Sequence, residues 1–158
     1  VIYGNITEVG TPKAPVTTPY ARAIDISTTY ITKEGASINP SSIKQGDDII
    51  IRTTIRHLGG PENYTNIALT QIFPTGWEIR NQRMEEESEQ SSALFTYQDI
   101  KDDRVYTYFD INRGGSKTIT QYVTPSFKGV FYMPAITCES MYNNQIAALE
   151  VGFKVIVE

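Results

Sequence analysis

The sequence predicts an all-β fold, an immunoglobulin-like antiparallel β-sandwich, and three observations carry that expectation. Apolar and polar residues alternate at a period of two along most of the chain. The alternating runs are short and are bounded by Gly, Pro, Asp and Asn clusters of the kind that make turns. β-Branched and aromatic residues dominate those runs, and no stretch shows the period of an amphipathic helix. Counting the runs gives about eight to ten strands. The Cys…Trp…Cys spacing of true antibody domains is absent, and no internal repeat is visible.

Taken in order, the opening GTPKAPVTTPY holds three of the eight prolines, so residues 1–22 are expected to form an extended linker or N-terminal extension. Residues 23–158 are expected to form the sandwich. In AIDISTTY, Ile24, Ile26 and Tyr30 share one parity. After the Gly46-Asp47 turn, Ile49, Ile51 and Ile55 share one face of a long strand, and Arg52, Thr54 and Arg56 share the other. A strand through Ile67, Leu69 and Phe73 leads to a Pro-Thr-Gly turn and a short strand at Trp77–Ile79. MEEESEQSS has no apolar period and reads as an exposed acidic loop. Strands then follow in ALFTYQDI, in DDRVYTYFDI, in KTITQYVTP after the NRGGS turn, and around FKGVFYMP. A final strand lies in LEVGFKVIVE, where Val151, Phe153, Val155 and Val157 alternate.

The chain has 158 residues, enough for one substantial core, with 40% hydrophobic and 20% charged residues. A net charge of −4 argues against a general nucleic-acid surface. No apolar run approaches the roughly 18 residues that would suggest a membrane-spanning helix. The sequence begins at Val1 and has no leader, so it is expected to be a segment of a longer polypeptide. Its one cysteine excludes an internal disulfide, and its one histidine excludes a multi-His metal site.

Few residues point to chemistry. Cys138 as a nucleophile would need His57 as its base, and nothing in their spacing joins them; a lone Cys in MPAITCES reads as a small buried hydrophobe. The pairs Asp47-Asp48 and Asp102-Asp103 precede strands, where Asp is favoured for its backbone hydrogen bonds. Asn-x-Thr sequons stand at Asn5 and Asn63. Tyr106 and Tyr108 share one side of a strand and with Trp77 could make a sugar-stacking platform, although cross-strand packing explains them as well. There is no phosphate loop, dinucleotide fingerprint or zinc spacing, so no cofactor or metal is expected and no catalytic residue is assigned. The residues alone indicate a binding or structural module.

Four segments in order add a resemblance: SIKQGDDIIIRTTIRH, IALTQIFPTGWEIRNQR, DDRVYTYFDI and GVFYMPAITCESMYNNQIAALEVGFKVIVE. Together they resemble the C-terminal macroglobulin-like domain of bacterial alpha-2-macroglobulin family proteins, of Bacteroidetes-type, over about residues 24–158. The resemblance implies a macroglobulin-like β-sandwich and a non-enzymatic, broad-range protease trap located in the periplasm or cell envelope. It implies as partners the thioester domain and neighbouring macroglobulin domains of the same parent chain, with target proteases engaged through the parent. It implies no nucleic acid, and membrane anchoring only through a distant N-terminus. The Cys-Leu-Glu-Gln thioester motif is not in this sequence, so Cys138 is not a thioester cysteine.

In such a protein the activated acyl group must be kept dry, and the resemblance assigns that shielding to a loop at Glu139, Ser140, Met141 and Tyr142. A thioether adapts to an irregular apolar contact, and a tyrosine buries its ring while its hydroxyl finds a partner. The bland reading of Met141 and Tyr142 is that they fill the domain's own core. The alternative function is a generic immunoglobulin-like adhesion or carbohydrate-binding module of a bacterial surface protein, which requires Tyr106, Tyr108 and Trp77 to be exposed together.

Overall fold

The computed structural model describes residues 17–80 and 95–158. The described residues form thirteen strands and no helix: β1 (Tyr20–Arg22), β2 (Ile24–Thr32), β3 (Ser42–Ile43), β4 (Ile49–His57), β5 (Tyr64–Ile72), β6 (Trp77–Arg80), β7 (Tyr97–Ile100), β8 (Arg104–Ile111), β9 (Ser116–Pro125), β10 (Gly129–Met133), β11 (Ile136–Ser140), β12 (Ala147–Glu150) and β13 (Phe153–Val157). Ten of them run in the order β6-β9-β4-β2-β1-β12-β11-β5-β8-β7, and β10-β13-β3 form a second, smaller sheet. All pairings are antiparallel except the two-residue parallel contact of β13 with β3.

The large sheet folds over on itself at the short β1, so β6-β9-β4-β2 and β12-β11-β5-β8-β7 enclose a common core. That core has two parts. One joins Ile24, Ile55 and Ile119 to Ile67, Leu69, Phe109, Ile111 and Cys138. The other joins Ile49, Ile51, Trp77 and Val123 to Phe73 and Val105, and the small sheet closes it with Met133, Val155 and Val157. The alternation expected of Ile49, Ile51 and Ile55 is what places them inside, with Arg52 and Arg56 in solvent.

Between the two apolar parts, each of four strands turns one polar side chain inward: Thr53 on β4, Gln71 on β5, Thr107 on β8 and Gln121 on β9, all buried. Gln71 Nε2 donates to Thr53 Oγ1 at 3.0 Å, and Gln98 Nε2 donates to Thr107 Oγ1 at 3.0 Å. The seam reaches the surface through Thr28, whose hydroxyl lies 3.4 Å from that of Thr53 and donates to Glu150 Oε2 at 2.6 Å. These bonds offset part of the cost of burying the seam, while Gln71 Oε1 and Gln121 Nε2 have no hydrogen-bond partner among the described residues.

Two local features differ from the sequence-based expectation. Tyr20–Arg22 fall in the segment expected to be an extended linker or N-terminal extension, and they pair with β12, so among the described residues the sheet begins at Tyr20. The hairpin of β11 and β12 also lies where no separate strand was expected. Residues 1–16, with most of the expected extension and Asn5, and the acidic MEEESEQSS loop lie outside the described residues.

Candidate functional site

The stretch assigned to shielding occupies the turn between β11 and β12. Its stem is fixed on both sides. Cys138 and Glu139 are opposite Ala148 and Ala147 of β12, and opposite Leu69 and Ala68 of β5. Alternation turns Cys138 into the core and Glu139 out. Beyond the stem the chain turns tightly: Ser140 N–H donates to Ile146 O at 2.9 Å, Ile146 N–H to Asn143 O at 3.0 Å, and Gln145 N–H to Asn143 Oδ1 at 3.0 Å. Met141 N–H donates sideways to Asn66 O at 2.9 Å. The tip is thus hydrogen-bonded through its backbone while its side chains point outward. Met141 is 55% exposed and Tyr142 is 79% exposed, so neither fills the domain's core.

A groove of about 210 Å³ runs beside the tip, between Ser140, Tyr142 and Asn143 on one side and Glu62, Asn63 and Asn66 on the other. Its second wall is held from behind by His57. Gly59 N–H donates to Nδ1 at 3.0 Å, which leaves Nε2 as the donor to Glu62 O at 2.9 Å, and Tyr64 stacks on the ring at 4.0 Å. Asn63 Oδ1 accepts from Arg113 N–H at 2.8 Å, so this sequon residue caps a turn. Sequence reasoning missed the role of the 59–66 segment; Gly59-Gly60-Pro61 marks a turn but does not say what it packs beside.

The other candidates do not assemble into a site. Both ring nitrogens of His57 are taken by the 59–62 loop, leaving no base for Cys138, and burial, with the Glu139 charge second, pushes the Cys138 thiol well above its ordinary pKa. The Asp pairs are split. Asp48 accepts from Lys33 Nζ at 2.7 Å, from an Arg80 guanidinium N–H at 2.6 Å and from the Thr124 hydroxyl at 2.9 Å; Asp47 is exposed. Asp103 takes a two-pronged bond from the Arg104 guanidinium at 2.8 and 2.7 Å, while Asp102 is exposed. No cluster of three or more His, Cys, Asp or Glu occurs among the described residues. Trp77 is buried in the core and Tyr106 and Tyr108 are half-buried, so the three do not form the exposed platform that a sugar-binding reading requires.

Comparison with known proteins settles the family. The model of the bacterial alpha-2-macroglobulin MG10 domain matches residues 24–145. The chain belongs to that family. The alpha-2-macroglobulin of Pasteurella multocida (strain Pm70) is 26% identical over 143 residues, which cover 90% of this chain and 7% of that protein. That of Rickettsia conorii (strain ATCC VR-613 / Malish 7) is 29% identical over 143 residues, covering 87% and 7%. The chain therefore spans a small fraction of the curated relatives it matches. Among solved structures, Salmonella alpha-2-macroglobulin reacted with methylamine superposes with a TM-score of 0.77 at 22% identity, over 94% of this chain and 10% of that one. Native Escherichia coli alpha-2-macroglobulin spanning domain MG7 to the C-terminus gives 0.79 at 18% identity, over 94% and 25%. These show that the fold of this MG10 domain is the macroglobulin-like sandwich.

Proposed function

We propose that this MG10 domain is a non-catalytic C-terminal domain of a bacterial alpha-2-macroglobulin-like protease trap, and that it docks on the thioester domain through Glu139, Ser140, Met141 and Tyr142. The single observation that carries the reading is the outward display of Met141 and Tyr142 on a turn whose backbone is pinned to two neighbouring strands. A thioether and a phenol side by side on a fixed turn form a small apolar surface that a neighbouring domain would cover. Held against a thioester they exclude water from an acyl group that hydrolysis would otherwise spend. Glu139 and Ser140, at the base of the turn, give the contact a polar edge.

The segment before Tyr20 leads in this reading from a preceding domain, and the whole protein works in the periplasm or cell envelope, where the proteases it traps arrive. The test uses the full-length protein with a trypsin-like protease. Wild type should form a covalent complex that survives denaturing electrophoresis, and Met141→Ala should form several-fold less because its thioester is spent beforehand. Equal complex in both proteins, from equal amounts of intact thioester, rejects the shielding role.

A further inference from the structure

The outer face of the small sheet is an apolar surface that neither the core nor the hairpin tip accounts for. Val130 on β10 lies directly opposite Ile156 on β13, and alternation points both outward; they are 63% and 42% exposed. Tyr132, opposite Lys154, stands on the same face and is 46% exposed. Their neighbours Met133, Val155 and Val157 point the other way, into the core.

The exposed rings are also held in place. A Cβ added at Gly152 would lie 2.7 Å from Tyr132 Oη, so the phenol rests on bare backbone that only glycine leaves open. Phe127, in the loop entering β10, lies against Gly76 in the same way, 2.6 Å from an added Cβ. Aromatic rings already fixed lose little freedom when a partner covers them, which is the property of an interface anchor.

We propose that this face is a second docking surface and that its occupant is an apolar, carboxylate-edged surface of another domain of the same long polypeptide. Charge favours such a partner: in a chain of net charge −4, exposed Lys128 and Lys154 flank the patch. So does chain length, because the matched region takes up only 7% of each curated relative, leaving ample chain to supply the partner.

Position makes the surface independent of the hairpin tip. The small sheet joins the start of β4, the start of β11 and the end of β12, whereas Met141 follows the end of β11. The two surfaces thus lie at opposite ends of the sandwich, and one domain touches two neighbours at once. The inference rests on the reading that this chain works as one domain of a longer protein.

Hydroxyl-radical footprinting of the native full-length protein tests it, with modification read by mass spectrometry at each residue and normalised to intrinsic reactivity. Val130, Tyr132 and Ile156 should be modified several-fold less than Tyr97, which is exposed on the far side strand β7. Val130→Glu should restore labelling at Tyr132. Labelling of the patch equal to that of Tyr97 overturns the proposal, and so does protection that fades on dilution, which would mean a second copy. Met141 and Tyr142 are read in the same experiment, so exposure there with protection here rejects the tip reading alone.

Discussion

Met141 donates its backbone N–H to the carbonyl of Asn66 at 2.9 Å, and Asn66 sits at φ 54°, where the register of β5 against β8 shifts. Its own N–H is taken by Asp110 Oδ1 at 2.8 Å. The bulge therefore turns the Asn66 carbonyl toward the β11–β12 turn, and the left-handed backbone at Asn66 is part of what holds the tip. Asn tolerates that conformation, whereas a β-branched residue does not.

Asn66→Val should lower stability by about 1–2 kcal/mol through backbone strain, and Asn66→Gly should leave it nearly unchanged. Asp110→Ala should cost about 1 kcal/mol by leaving the Asn66 N–H without its side-chain acceptor. Urea denaturation measures all three. Amide exchange at Met141 should quicken in Asn66→Val and Asp110→Ala, because the acceptor of that N–H is displaced.

The polar seam gives a coupled pair. Thr53→Val removes the acceptor of Gln71 Nε2 inside the core and should cost about 1–3 kcal/mol. Adding Gln71→Leu removes the donor as well, so the double variant should be more stable than the sum of the two single changes predicts. Strict additivity in a double-mutant cycle would show that the 3.0 Å bond does not couple them.

Cys138 is fully buried, so its thiol should not react with an aromatic disulfide reagent in the folded protein and should titrate fully once denaturant unfolds it. This matters for any thiol assay on the parent: signal from the native protein then comes from elsewhere. Rapid native reaction would contradict the packing described for β11.

Glu150 contributes with the opposite sign to most carboxylates. Burial, only partly offset by the Thr28 hydroxyl and reinforced by Asp25, raises its pKa in the folded state. Its protonated form is thus the better accommodated one: the favourable contribution is full below the unfolded pKa of about 4.3 and is lost as pH rises through the higher folded value. Glu150→Gln, which keeps an oxygen for Thr28, should raise the denaturation midpoint at pH 7 and change it little near pH 3. A loss of stability at pH 7 would reverse the sign assigned here.

Much of the fold was legible because burial follows parity. The alternation of Ile49, Ile51 and Ile55, and of Val155 and Val157, is the inside of the sandwich. What was not legible breaks that code. Gln71 and Gln121 point inward as polar residues; Gln71 is held by Thr53 across the sandwich, a pairing that no local pattern reveals, and Gln121 Nε2 is buried without a hydrogen-bond partner among the described residues. β12, Ala147–Glu150, lacks the β-branched residues that signal a strand, and forms because β1 and β11 flank it. At the tip, Met141 and Tyr142 were identifiable by type, but a Met-Tyr pair serves a core equally well; their exposure on a turn fixed by the Ser140–Ile146 and Met141–Asn66 bonds is a tertiary fact.

The most direct test of the central claim is the release of free thiol over time from the full-length protein, with no protease present, in wild type, Met141→Ala and Tyr142→Ala, with Gln145→Ala as a control on the same turn. Docking through Met141 and Tyr142 predicts that wild type and the control stay closed while both tip variants release thiol and take up methylamine spontaneously. An intact, equally slow thioester in all four proteins would contradict it, and would make the β11–β12 turn an ordinary surface of a structural end domain.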